Sequence, residues 1–346
     1  MLVKNCKTEK PPMDQSSSPV YGYFTNKQLS LVILPTEQCN FRCRYCYENF
    51  AIGKMKPEII FALKKFLSFR LPTLDVLNLD WFGGEPLLAY DVIIDIMSFL
   101  QKQAQITNPN LCILSGMSTN GSLLTMEKLQ KLTTLNVKTF QISFDGAKDQ
   151  HDKLRVNGNG EGTFDSIWKN LIYAHKSDLD FHISIRLHIN VKNQNSAADL
   201  LGQIARELEN DSRFTVYIRR LGQSQYSPDS PVGLLQIKDP IIQLRKTALN
   251  LGLSLTKDFA EKSVCPAALP NSFIIRADGS INKCLLFLYH KENQIGKLNP
   301  DGTLELDSNL FSGWLTEFYS KNNKGLSCPA ASMINESPLI KFNVRK

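Results

Sequence analysis

The chain has 346 residues, with 40 Lys and Arg against 33 Asp and Glu, a net charge of +7, an apolar fraction of 42% and eight cysteines. No apolar run reaches the length of a membrane span, and Met1–Pro19 lacks the apolar core of a signal peptide, so the composition describes a globular, cytoplasmic protein. No Arg/Lys stripe is interleaved with aromatics, which argues against a nucleic-acid partner, and in a reducing compartment the cysteines read as ligands or buried thiols before disulfides.

In chain order, residues 1–25 read as a flexible tail broken by Pro11-Pro12 and Ser16-Ser17-Ser18-Pro19. Leu31–Pro35 is a short apolar run suited to a buried strand. Lys56–Phe69 places Ile59, Ile60, Leu63, Phe66 and Leu67 at helical spacing. Then follow a strand at Asn78–Phe82, a helix at Tyr90–Gln103, a strand at Cys112–Met117 and a helix at Met126–Leu135. A strand at Lys138–Phe144 precedes a helix at Thr163–His175, with Thr163 as its expected cap. Phe181–Val191 alternates as a strand, Ser196–Leu208 is helical and Phe214–Arg219 is again a strand. About six strand–helix alternations over roughly 200 residues imply a parallel sheet with crossover helices. A closed eightfold barrel takes about 250 residues, so the count is short of one. Gly222–Gly233, rich in Ser, Pro and Gly, reads as a linker, and Pro240–Leu251 as a helix. From Ser263 the pattern changes to short strands with turns at Asp278-Gly279 and Asp301-Gly302.

The chemistry concentrates at Cys39-Asn40-Phe41-Arg42-Cys43-Arg44-Tyr45-Cys46, on a loop leaving the first strand. Thiolates suit zinc, copper and iron–sulfur clusters. A closed structural site needs four ligands; this loop supplies three, with no fourth Cys or His nearby, and so leaves a coordination position open. The Cys-x-x-x-Cys-x-x-Cys spacing with an aromatic before the last cysteine resembles the signature of the radical S-adenosylmethionine (SAM) enzymes. That resemblance implies a six-unit partial (β/α) barrel. It also implies a [4Fe–4S] cluster on Cys39, Cys43 and Cys46 with SAM on the fourth iron, and reductive cleavage to a 5′-deoxyadenosyl radical that abstracts a substrate hydrogen. Tyr45 belongs to the same motif.

Later motifs fall at strand ends, where sites in such sheets lie. Gly83-Gly84-Glu85-Pro86 matches the family's glycine-glycine-glutamate-proline motif: bare backbone lets carbonyls approach the SAM ammonium, and Glu85 either contributes its carboxylate or holds the loop. Ser118 and Asn120 in Ser118–Gly121, and Ser143 and Asp145 in Ser143–Gly146, resemble further family motifs and offer groups for the ribose and methionine parts of SAM, or else stabilise turns. Arg155 and Arg186 are candidates to bind a carboxylate by a fork of donors. His151 and His188 read as structural.

The C-terminal segment resembles the opening of a SPASM domain, the module that binds auxiliary clusters in many peptide-modifying radical SAM enzymes. Only Cys265, Cys284 and Cys328 are present. Three cysteines cannot ligate two clusters. They can hold one auxiliary [4Fe–4S] cluster, as in the shortened twitch module, or bind nothing. The expected organisation is therefore a tail (1–25), a partial barrel (26–222), a linker and bridging helix (223–258) and a small, truncated α+β cluster-binding domain (259–346). The resemblance implies a peptide maturase that acts on a ribosomally made precursor peptide and forms a side-chain cross-link, served by a flavodoxin- or ferredoxin-type electron donor. Sulfatase maturases place an Asp after a C-terminal cysteine as the base; here Leu285 follows Cys284, which makes that activity, or that of another radical SAM dehydrogenase acting on a protein or small molecule, the alternative.

Overall fold

Period-two burial builds the sheet. In β1 (Gln28–Ile33), Leu29, Leu31 and Ile33 are buried while the residues between them are only partly covered. The same alternation runs through β2 (Val76–Trp81), β4 (Val137–Phe144) and most of β5 (His182–Ile189). The buried sets face α1 (Pro57–Arg70), α2 (Tyr90–Thr107), α3 (Met126–Thr134), α5 (Phe164–His175) and α6 (Gln194–Glu207), whose apolar stripes complete one continuous core. The opposite face carries the polar partners Ser30, Asn78, Gln141 and Arg186. The computed structural model describes residues 25–190, 192–220, 238–256, 264–319 and 328–330. Most of the expected tail and the linker at Gly222–Gly233 lie outside these residues, as do the boundaries 222/223 and 258/259.

Each of β1, β2, β3 (Cys112–Thr119), β4 and β5 pairs in parallel with the next, ending at β6 (Phe214–Arg220). The α/β architecture with a mostly parallel sheet is thus as expected. The C-terminal strands do not stand apart from it. β7 (Ser272–Ile275) pairs in parallel with the free side of β1, and β8 (Ser280–Asn282), β9 (Gln294–Leu298) and β10 (Leu304–Leu306) follow antiparallel. One ten-stranded sheet results, in the order β10-β9-β8-β7-β1-β2-β3-β4-β5-β6.

Two helices were not expected from periodicity, α4 (Lys148–Leu154) and α8 (Ser308–Tyr319); α7 (Lys238–Asn250) was. The expected cap at Thr163 is corrected. Its side chain makes no cap bond; Asp152 Oδ1 instead accepts from the N–H groups of Thr163 and Phe164 at 2.7 and 2.9 Å, while the Thr163 hydroxyl donates to Arg155 O. Cys112, read as a thiol, is half-buried and disulfide-bonded.

A buried ion pair fastens the C-terminal strands to the thiol loop. Arg276, just past β7, grips Glu37, just past β1: Nε to Oε1 at 2.9 Å and Nη2 to Oε2 at 2.7 Å. Glu37 is fully buried and Arg276 nearly so. Removing one partner of such a pair leaves an uncompensated charge at a cost of about 3–5 kcal/mol. Glu37→Ala should therefore lower unfolding stability by that order in chemical denaturation, and adding Arg276→Ala should recover a large part of the loss.

Candidate functional site

The thiol loop lies across the C-terminal ends of β1 to β5 and is held from three sides. The segment after α4 clamps it through Arg42 N–H to Val156 O (2.7 Å), Arg44 N–H to Leu154 O (2.9 Å) and Gly158 N–H to Asn40 O (3.0 Å). The turn after β3 holds it through Asn120, whose amide donates to Asn40 Oδ1 at 2.8 Å and lies 3.9 Å from Cys39 Sγ. The turn after β2 packs beneath it. A Cβ on Gly83 would fall 2.1 Å from Thr36 O, and one on Gly84 would fall 2.5 Å from Gln38 O; Gly83 also adopts φ +117°, a region that side chains disfavour. The two glycines thus admit the backbone of residues 36–38.

Glu85 is fully buried and its carboxylate is committed. Oε1 accepts from Leu87 N–H (3.0 Å) and the Thr119 hydroxyl (2.7 Å), and Oε2 accepts from Asn120 N–H (2.7 Å). Of the two roles open to it, the geometry supplies the holding one: it locks the β2 turn to the end of β3. The hydroxyls of Ser118 and Ser143 make no hydrogen bond with another described residue.

Tyr45 is the hub of a buried polar cluster. Its hydroxyl donates to Asp145 Oδ2 (2.7 Å), accepts from Arg155 Nη1 (2.8 Å) and lies 3.3 Å from His188 Nδ1. Asn193 ties the backbone beneath, donating to Asp145 O and His188 O. Burial alone would raise the Asp145 carboxyl pKa; the His188 contact and the Arg155 charge outweigh it and leave it below its ordinary range. Asp145 is therefore an ionised carboxylate, and burial keeps His188 biased towards neutral. His151 is fully buried against Thr163, and desolvation pushes it down to about 3. Arg155, read as a carboxylate fork, spends one nitrogen on Tyr45. Arg186 has a single bond, from Nη1 to Gln141 Oε1 at 3.1 Å, and its buried Nε has no partner.

Burial raises all three thiols of the loop, Cys39 to about 12 and Cys46 to about 11, with Cys43 raised as well. The charges of Cys43 and Cys46 both reach Cys39. Among the described residues, no three His, Cys, Asp or Glu side chains are grouped so as to hold a single metal ion. The donor set is three desolvated sulfurs, soft ligands of the kind an iron–sulfur cluster takes. The C-terminal thiols form a second set: the charge of Cys328 reaches both Cys265 and Cys284, and that of Cys265 reaches Cys284. The Tyr47 hydroxyl is raised by burial first and then by the charges of Glu48, Cys46, Tyr289 and Cys284.

Several residues here were missed in the sequence. Glu48 gives Oε2 to the Tyr289 hydroxyl (2.6 Å), while its Oε1 is buried without a partner; burial raises it to about 7. Asp80, Thr139 and Asn78 line a cavity of about 290 Å³ on the polar face of the sheet. Asn293 is fully buried and spends four bonds on the Cys284 loop: Oδ1 accepts from Lys283 and Cys284 N–H, and the amide donates to Cys284 and Phe287 carbonyls. None of these carries a local signal, because each acts through a partner distant in sequence or through burial.

A loop of three thiols over the ends of parallel strands, with a glycine turn beneath it, is the arrangement of an iron–sulfur SAM site. Residues 33–199 match the model of the Radical SAM superfamily. It is 25% identical over 336 residues to a cysteine-type anaerobic sulfatase-maturating enzyme of Clostridium novyi, covering 87% of this chain and 85% of that protein. To a serine-type anaerobic sulfatase-maturating enzyme of Bacteroides thetaiotaomicron it is 29% identical over 163 residues, 43% of this chain and 37% of the other. Two solved structures share the fold. Native anSMEcpe with bound AdoMet and Kp18Cys peptide has a TM-score of 0.65 at 20% identity, covering 84% of this chain and 82% of that one. Streptococcus suis SuiB bound to precursor peptide SuiA has a TM-score of 0.61 at 14% identity, covering 84% and 67%. The family implies a [4Fe–4S] cluster and SAM, which the donor set fits. No helix among the described residues is long and apolar enough to cross a membrane.

Because Glu85 satisfies three buried donors, its loss leaves all three unpaired. Glu85→Ala should cost about 3 kcal/mol in thermal or chemical unfolding and reduce iron uptake on anaerobic reconstitution.

Proposed function

We propose that the chain is a peptide maturase that uses SAM to remove hydrogen from a side chain of a ribosomally made peptide and closes an intramolecular cross-link. The observation that carries this reading is the thiol loop after β1, set over the strand ends, together with the further free cysteines Cys265, Cys284 and Cys328 in the C-terminal segment that β7 joins to β1. Cys39, Cys43 and Cys46 hold the [4Fe–4S] cluster that binds SAM, and Cys265, Cys284 and Cys328 hold one auxiliary [4Fe–4S] cluster. When bound, the first cluster and SAM supply a hydrogen-abstracting radical.

The chain's own residues position the reactants. Gly83, Gly84 and Glu85 shape the floor under the thiol loop. The ribose and methionine groups of SAM meet Ser118, Asn120 and Ser143, whose polar atoms lie at adjacent strand ends. Tyr45 is fixed by Asp145 and Arg155 as a rigid wall of the site. Arg155 and Arg186 each keep a buried Nε without a hydrogen bond and are the two candidates to take a carboxylate. Glu48 offers its free oxygen to a donor on the peptide. Electrons arrive from a flavodoxin- or ferredoxin-type donor in the cytoplasm.

The relationship to sulfatase-maturating enzymes supports a second reading, oxidation of a Cys or Ser side chain in a sulfatase. Against it, Leu285 follows Cys284 in place of an Asp and packs in an apolar group with Leu34, Ile274, Leu288, Phe82 and Tyr289.

Anaerobic reconstitution with SAM, a reductant and the co-encoded peptide should yield 5′-deoxyadenosine and a peptide lighter by about two mass units per cross-link, the signature of a net loss of two hydrogens. The triple Cys39/Cys43/Cys46→Ala chain should release no 5′-deoxyadenosine. Release from that chain would overturn the assignment, and conversion of a sulfatase peptide alone would favour the second reading.

A further inference from the structure

Asp80 is a carboxylate without a partner. It stands on the polar face of β2, and no described residue donates a hydrogen bond to it or pairs with its charge. It looks into the cavity of about 290 Å³ that Asn78, Leu114, Asn136, Lys138 and Thr139 also line. The cavity is open because the residue in register with both Asp80 and Thr139 is Gly116 on β3. A Cβ there would fall 2.7 Å from Asp80 Oδ1 and 2.5 Å from Thr139 Oγ1. Water reaches the carboxylate from the cavity, while protein on its other sides desolvates it and raises its carboxyl.

The side-chain donors around the cavity are spent. Asn78 Nδ2 donates to Ser30 Oγ (3.3 Å), Asn136 Nδ2 to Ile113 O (2.6 Å) and the Thr139 hydroxyl to Ser115 O (3.4 Å), and Lys138 is paired with Asp180. Acceptors remain: both oxygens of Asp80 and the amide oxygens of Asn78 and Asn136. Leu114, 37% exposed, adds an apolar wall. A cation that only donates complements such a lining. An ammonium has three donors and no acceptor, a guanidinium five donors and no acceptor, and the methylene stem of either lies along apolar surface.

We propose that this cavity is a subsite for a lysine or arginine side chain of the peptide substrate, with Asp80 as its counter-charge. The inference rests on the peptide-maturase reading above and names a residue class that the substrate carries. Position favours the peptide as the source of the cation. Gly116 and Ser118 lie two residues apart on one face of β3, about 6.6 Å, and Thr139, Gln141 and Ser143 step along β4 in the same way. The row of Asp80 thus lies just beneath the residues proposed to meet SAM, within the span of an extended lysine stem. A basic residue seated there anchors the peptide next to the position where hydrogen is removed. A purely structural role for Asp80 predicts lost stability on substitution and no preference among ligands.

The test uses the full chain, reconstituted anaerobically with iron, sulfide and SAM, and two probes, N-acetyl-lysine methylamide and N-acetyl-norleucine methylamide, the second lacking only the ammonium. Binding is measured by isothermal titration calorimetry at low ionic strength. The parent chain should bind the lysine probe about tenfold more tightly than the norleucine probe, or better, as a charge-assisted hydrogen bond provides. Asp80→Asn keeps the shape and removes the charge. It should abolish the preference and melt at the parental temperature or above, because the carboxylate it removes is desolvated and unpaired. Equal binding of the two probes by the parent chain would overturn the proposal. So would a preference that survives in Asp80→Asn, or a lower melting temperature in that variant with the preference intact. A lysine preference in a chain that releases no 5′-deoxyadenosine would count against the maturase reading alone.

Discussion

The Glu37–Arg276 ion pair is the constraint on which the site depends. Glu37 stands two residues before the first thiol and Arg276 one residue after the strand that closes the other side of β1. The fork fixes where the thiol loop starts relative to the C-terminal strands. Arg276 also lies 5.2 Å from the Tyr289 ring centre, and the Tyr289 hydroxyl binds Glu48 and the Asn49 N–H just beyond the last thiol. The loop is therefore pinned at both ends by the same module. Its middle is left to the barrel, through Asn120 and residues 154–158.

Burial of the thiols gives this frame its chemical sense. Three desolvated sulfurs resist ionisation, and a bound metal group is what makes thiolates stable in such surroundings. The polar cluster at Tyr45 works in the opposite direction: burial would raise the Asp145 carboxyl, but the His188 contact and the Arg155 charge outweigh it and hold it low. Two environments only a few residues apart thus hold opposite demands, one awaiting a cation-rich cluster and one already balanced.

Most of the parallel sheet was legible in the sequence because its strands alternate and its helices carry apolar stripes, as in Leu29/Leu31/Ile33 and Val92/Ile93/Ile96/Leu100. The thiol loop and the strand-end motifs were legible because their spacing is local. Helix α4 was hidden, being seven residues with few apolar anchors. Thr163 sits where a cap belongs, yet Asp152 from the preceding helix does the capping, a contact that spacing alone does not reveal. Glu37 and Arg276 lie 239 positions apart, and nothing in either neighbourhood marks them as partners. Lys283 and Asn293 read as ordinary polar residues of a turn-rich segment; only folding shows that both are sealed inside. The attachment of β7 to β1 was invisible for the same reason, since a four-residue apolar run does not name its neighbour.

That attachment has a consequence for the order in which the protein is made. β1 leaves the ribosome long before the neighbour on its β7 side, Ser272–Ile275, which lies much further along the chain. Until then the strand bearing the thiol loop is a sheet edge, Glu37 has no cation, and Glu48 has no tyrosine. Such long-range pairing is slow and leaves an unpaired edge exposed while it waits. Iron delivered during synthesis would meet a half-built cradle. The fold thereby leaves the strand that bears the thiol loop an open edge until the distant β7 segment pairs with it.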